Sequence, residues 1–289
     1  NAEDRDIVKL RGLYCGLKAE LEECEMCDSW TQGIISTHYA PKNDLHIQPN
    51  ERVFYTTRNA GYIDTALSII NTYPESIRPF FLAPLLAEAS VHANTSGVFK
   101  GFYKNPNTGL GQFGGKNKNA LSRITGDIGI PFPIFSEYNC KTLLLQGDAN
   151  QVIKDAPEVD LAYVDPPYNQ HPYGSNYFML NIIANNKLEG KISPISGIPE
   201  NWNRSAFNKQ KEVEEAFTTL ISDLRARFVL VSFNSEGYIT TEKIQEILQK
   251  FGDVTILETD YNAFRGSRNL SGRSLYVKEY LFLLEKTDN

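Results

Sequence analysis

Sulfur and imidazole are scarce in this chain: 289 residues hold four cysteines, two methionines and four histidines. So few thiols make no disulfide framework, and a reducing cytoplasm is the expected compartment. Cys24 and Cys27 have the spacing of half a zinc knuckle, but no second close pair follows, so no metal site is expected. No run of about eighteen apolar residues is present, which excludes a membrane-spanning helix. A basic start leading into an apolar stretch and a cleavage site is also missing, so secretion is not indicated. An excess of basic charge is absent too, the formal net charge being -6. That balance does not exclude nucleic acid, because only the face that meets phosphates must be positive.

What is present is an ordinary globular composition, 41% hydrophobic and 22% charged, in a length that suits one large α/β domain or a core with a smaller lobe. The apolar run Val159–Val164 is closed by Asp165, Pro166, Pro167 and Tyr168. It reads as a buried parallel strand stopped by two residues that donate no backbone hydrogen bond. Side chains at such a strand end face the crevice where open α/β sheets bind ligands. There Asp165 can accept a hydrogen bond from an amino group, the fixed carbonyls around Pro166 and Pro167 can accept another, and Tyr168 offers a flat face for a planar base.

The flanking chain is consistent with this corner. Periodicity predicts helices over residues 7–30, from 59 to about 73, over 76–92, and over 212–227. Arg52–Tyr55 reads as a short strand. Strands are further expected at 228–232, 254–257 and 276–284, the last largely apolar with Glu279 inside it, with Thr240 capping a helix between the first two. Leu143–Leu145 reads as a strand closing on Asp148, which would set Asp148 and Asp165 along one edge of a parallel sheet. The stretch 94–116 is rich in glycine, lysine and aromatics, the mixture expected where backbone meets phosphates and rings, with Lys100 and Lys104 as the cations. After the Asp-Pro-Pro-Tyr corner, His171, Tyr173, Asn176 and Tyr177 interleave rings with hydrogen-bonding groups, as a loop embracing a base would. Residues 181–210 are loop-rich and carry Arg204.

Asp165–Tyr168 resembles the catalytic signature of amino-group methyltransferases, above all the bacterial adenine-specific DNA methyltransferases of restriction–modification systems. The order of Ala93–Lys100, Gly147–Ala149, Ser175–Tyr177, Val231–Ser235 and Arg265–Asn269 is similar to that family over roughly residues 50 to 285. The resemblance implies a Rossmann-like S-adenosylmethionine-dependent methyltransferase fold, an α/β class with a mostly parallel sheet and an antiparallel edge hairpin. It implies Asp165, Pro166, Pro167 and Tyr168 as the corner holding a flipped adenine, with Asp148, Ala149 and Asp165 beside the cofactor S-adenosylmethionine. Phe264 or Tyr261 would line the base pocket, Arg265, Arg268 and Arg273 would address phosphates or base edges, and Asn234 falls in a matching stretch on the DNA side. The partners implied are double-stranded DNA and a cognate restriction endonuclease.

The family's glycine-rich cofactor signature, normally ahead of the catalytic motif, is not found: neither Gly12 and Gly16 nor the 109–115 loop follows an apolar strand. Because the chain begins Asn1-Ala2 rather than with methionine, the expectation is truncation upstream, with a fold incomplete at its N-terminus. Residues 1–135 are then a helical, loop-rich region on the DNA-binding side, and 136–289 the catalytic core. The other readings are an RNA or protein amine as substrate, or an inactive DNA-binding subunit.

Overall fold

The computed structural model describes residues 4–138, 140–167, 169–262 and 276–287. The chain divides into two compact units, residues 1–141 with 174–202 and residues 142–173 with 203–289.

The first unit is helical. Leu10, Leu17 and Leu21 recur on one side of the helix Asp4–Met26 and enter a core with Ile63, Leu67 and Ile70 of the helix Thr57–Ile70 and Phe81 and Leu85 of the helix Arg78–Val91. Phe178 and Ile182 of the helix Phe178–Asn185 complete that core, so residues 174–202 pack with chain far ahead of them in sequence. Thr56 caps the Thr57–Ile70 helix, its hydroxyl accepting the Asn59 N–H at 3.1 Å. Arg52–Tyr55 is not a strand: Val53, Phe54 and Tyr55 are fully buried in irregular chain. Burial here is driven by side chains rather than by a ladder; the Tyr55 hydroxyl donates to Ala89 O at 3.0 Å.

The second unit carries a four-stranded mixed sheet. In chain order the strands are β1 (Val159–Val164), β2 (Ala226–Asn234), β3 (Gly252–Asn262) and β4 (Tyr276–Lys286), lying side by side as β1-β2-β4-β3. β1 and β2 are parallel; β4 runs antiparallel to β2 and to β3. The antiparallel hairpin therefore sits at one edge, as expected, whereas only one pairing is parallel. The sheet is mixed rather than mostly parallel, and the reason lies in residues 143–145. Leu143, Leu144 and Leu145 form no strand and are 62%, 88% and 44% exposed. Three successive leucines in a strand would present apolar side chains to both faces, and the described residues cover neither. Consequently β1 has no partner on its outer side among the described residues.

Alternation along the strands sends Val229, Val231 and Phe233 of β2 and Phe282 and Leu284 of β4 to one face. The helices Val213–Asp223 and Thr241–Leu248 cover it with Phe217, Leu220, Ile221, Ile244 and Ile247. The second helix starts where Thr240 accepts the Lys243 N–H at 3.2 Å. The first is closed at its C-terminal end by the Lys286 ammonium, which donates to Ile221 O at 2.9 Å and Leu224 O at 2.8 Å, a cation where the helix dipole is negative. Burial there pulls the Lys286 ammonium below the usual lysine range.

Candidate active site

The second unit places the acid of the corner where the sequence suggests. β1 ends at Val164, opposite Val231 of β2. Asp165 then leaves the sheet exposed, while Pro166 behind it is buried. A cleft of about 430 Å³ opens at this strand end, bounded by Gly147, Asp148, Asp165, Pro166 and Arg204 among others, with Ile153, Val164, Phe207 and Leu220 as apolar wall. Ala149 and Pro167 line it too. That size is within the range of small-molecule sites.

Asp148 reaches this cleft by a route different from the one expected. It is the N-cap of the short helix Ala149–Val152, its carboxylate accepting the Asn150 N–H at 3.0 Å, and not the end of a strand. The helix is in turn anchored by Asn150, whose Nδ2 donates to Ala216 O at 2.8 Å. Gly147 ahead of it is sterically required, because a Cβ there would stand 2.6 Å from Val152 Cγ1. The turn after the corner is also pinned: Asn169 accepts the His171 N–H at 2.9 Å through Oδ1, and its carbonyl accepts Asn208 Nδ2 at 2.8 Å.

The remaining expected site residues fall into three groups. Arg204, assigned to DNA from sequence, lines the same cleft as Asp148 and Asp165. Lys100, Lys104, Asn176 and Tyr177 belong to the first unit, and His171 and Tyr173 to the second. Tyr168, Phe264, Arg265, Arg268, Arg273 and the side chain of Tyr261 lie outside the described residues.

The lysine-bearing stretch of the first unit is fixed, not a loose loop. Asn94 is fully buried; its Nδ2 donates to Val53 O at 2.6 Å and Gln112 O at 2.8 Å, and its Oδ1 accepts the Gly114 N–H at 3.1 Å. Lys104 is exposed on this frame, with its ammonium 5.3 Å from the Phe102 ring centroid.

Two residues matter more than the sequence reading allowed. Asn234, assigned to the DNA side from sequence, is 7% exposed; it stands opposite Glu279 on the neighbouring strand and hydrogen-bonds its carboxylate. Burial raises the Glu279 carboxyl above the ordinary glutamate value, the Asp165 charge adds to the rise, and the Asn234 hydrogen bond partly offsets it. The signal was available in part: Glu279 is an acid directly ahead of the apolar run Tyr280–Leu284.

A model of the family described as D12 class N6 adenine-specific DNA methyltransferase matches residues 24–258. The chain belongs to that family. It is accordingly an enzyme that methylates adenine in DNA. It is 31% identical over 266 residues to the type II methyltransferase M.NlaIII of Neisseria lactamica, covering 89% of this chain and 72% of that protein. It is 27% identical to the type II methyltransferase M.CviAII of Paramecium bursaria Chlorella virus 1, over 98% of this chain and 81% of that one. A match of 29% identity to M.FokI of Planomicrobium okeanokoites covers 82% of this chain but 35% of the longer relative. Membership in this methyltransferase family implies S-adenosylmethionine as the methyl donor. No helix among the described residues is long and apolar enough to cross a membrane.

The cleft residues fit part of that donor. Two carboxylates, Asp148 and Asp165, suit a ligand with a positive sulfonium and nucleoside hydroxyls, and the apolar wall from Ile153 to Leu220 suits an adenine ring.

Proposed function

We propose that Asp165 and the Pro166 carbonyl hold the exocyclic amine of an adenine swung out of double-stranded DNA, with Tyr168 stacking on the base. Inside the duplex that amine is beyond reach of a strand-end acid, so the base must leave the stack. Asp165 orients the amine lone pair by accepting one of its hydrogens, the Pro166 carbonyl accepts the other, and positioning is the main catalytic contribution of the chain. S-adenosylmethionine, when bound, supplies an electrophilic methyl group; Asp148, Ala149 and Asp165 would hold it in the cleft. In the first unit Lys100 and Lys104 meet DNA phosphates from the pinned stretch, and Asn176 and Tyr177 also contact the DNA; in the second unit Arg265, Arg268 and Arg273 address phosphates or base edges, and His171, Tyr173 and Phe264 serve the base. Arg204, at the cleft, bridges the methyl donor and the DNA.

The observation that carries this reading is the exposed Asp165 carboxylate at the end of a parallel strand, sharing a cleft with Asp148 and Arg204. Named relatives are type II methyltransferases, which supports a role as the modification enzyme of a restriction–modification system, acting in the cytoplasm beside a cognate endonuclease. The test is transfer of labelled methyl to plasmid DNA by the wild-type chain and by Asp165→Ala, with S-adenosylmethionine binding followed by calorimetry. Methylation lost in the variant with the thermal midpoint preserved supports the assignment. Undiminished turnover in the variant would overturn it.

A further inference from the structure

Strand alternation places Asp165 on the sheet face opposite to the helices. Ala162 and Val164 of β1 pack toward the helix-covered core, so Leu161, Tyr163 and then Asp165 turn the other way. On β2 the residues of that second face are Leu230, Ser232 and Asn234, and on β4 they are Glu279, Leu281 and Leu283, because their neighbours Val229, Val231, Phe233, Tyr280, Phe282 and Leu284 belong to the helix side. Val164 pairs with Val231 and Asn234 pairs with Glu279. Asp165, Ser232, Asn234 and Glu279 thus form a polar diagonal across three adjacent strands.

The middle of this diagonal is rigid. Asn234 Oδ1 accepts the Glu236 N–H at 3.0 Å, which turns its Nδ2 toward Glu279. The carboxamide is therefore set to donate to a carboxylate, not to accept from a neutral acid. Glu279 is half-buried there, and the Asn234 amide offsets part of the cost of holding its charge on the face that bears the catalytic corner.

We propose that Glu279, clamped by Asn234, is a positioning residue for methyl transfer: a second carboxylate on the face of Asp165 that deepens the negative potential where the substrate amine becomes positive. This inference rests on the reading of Asp165 given above. In the reaction the amine nitrogen gains a bond to the methyl carbon as the carbon–sulfur bond breaks with its electron pair on sulfur. The nitrogen carries positive charge until it gives up one proton to Asp165 or water. Fixed negative charge that lies nearer the amine than the sulfonium favours the passage of positive charge from sulfur to nitrogen and so lowers the barrier. Among the described residues, Asn234 and Thr259 are the cross-strand neighbours of Glu279 on β2 and β3, and Asp165 is the like charge that acts on it; Glu258, engaged by the Lys278 ammonium at 2.9 Å, and Asp260 flank Thr259 and alternate to the other face.

Carbon-13 titration of the Glu279 carboxyl in the full chain tests the coupling directly. Its midpoint is expected to lie above that of an ordinary glutamate and to fall in Asp165→Asn; a midpoint that ignores this substitution overturns the proposal. In single-turnover methylation, Glu279→Gln is expected to slow the transfer step about tenfold to a hundredfold with the KM for DNA within about twofold, and Glu279→Asp to recover part of it. A Glu279→Gln rate equal to wild type, or a loss that only follows a falling thermal midpoint, also overturns it. Should Asp165→Asn itself methylate normally, the assignment of Asp165 fails first; should Asp165→Asn be inactive and Glu279→Gln normal, only the role of Glu279 fails.

Discussion

Val164 and Val231 stand opposite one another in the parallel pairing of β1 and β2, and this register sets the height at which Asp165 leaves the sheet. Because Asp165 is exposed and β1 ends before it, its side chain contributes little to folding. Asp165→Asn should therefore abolish methyl transfer while moving the thermal midpoint by no more than about 2 °C, as for a surface substitution of about 0.5 kcal/mol or less. Radiolabel incorporation and calorimetric melting on the same preparation check both halves.

In the first unit, Asp64 holds the start of the helix Ile34–His38. Its buried carboxylate accepts the N–H groups of Gly33, Ile35 and Ser36 at 3.1, 3.0 and 2.8 Å and the Ser36 hydroxyl at 2.6 Å. Asp64→Ala strips these donors of their acceptor, and a loss of about 3 kcal/mol is expected in urea unfolding. Gly33→Ala should also destabilise, since its Cβ would lie 2.6 Å from Asp64 Cγ.

Phe217 anchors the helix Val213–Asp223 to the sheet and is 1% exposed. Phe217→Ala is expected to cost about 3–5 kcal/mol through lost burial and the cavity left behind. The same helix supplies Leu220 to the cleft wall, so binding of a methyl-donor analogue, measured by calorimetry, should weaken in parallel.

The raised Glu279 carboxyl gives a pH dependence of known sign. The folded chain binds this proton more tightly than the unfolded chain, so the stability it contributes is complete below the ordinary value of 4.5 and is lost as pH rises through the folded value. Glu279→Gln removes that slope. Its stability relative to wild type should increase as pH rises from the ordinary value of 4.5 through the folded value in chemical denaturation; a constant difference would contradict the shift.

Lys104 should act on DNA through charge alone. Lys104→Ala is expected to weaken binding to every duplex alike and to reduce the slope of log K against log salt by about one. Fluorescence anisotropy over a salt series measures it.

Where sequence and structure agree, a strong local signal met a simple tertiary demand. The helix Thr57–Ile70, the cap at Thr240, the closing of β1 on Asp165 and the edge hairpin were all legible because periodicity, capping chemistry and proline's missing donor act over a few residues. Leu143–Leu145 misled because a strand needs a neighbour, and pattern alone does not say whether one is supplied. Val53–Tyr55 misled for the opposite reason: full burial came without a ladder. Asp148 reached the expected cleft by capping a helix, an outcome that its Gly-Asp-Ala context allows as readily as a strand end. Asn234 shows the limit most clearly. An asparagine just past an apolar strand suggests a surface contact, and only the register across to β4 reveals the acid it serves.

The path of the chain has a practical outcome for dissection. After the corner and its pinned turn, the polypeptide leaves the sheet-bearing unit at residue 173, spends residues 174–202 within the helical core, and returns at 203. No single cut can therefore liberate either half intact. A free-standing catalytic half would have to splice 142–173 directly onto 203–289, and its helical counterpart would have to recover Phe178 and Ile182 from a detached peptide to fill its interior.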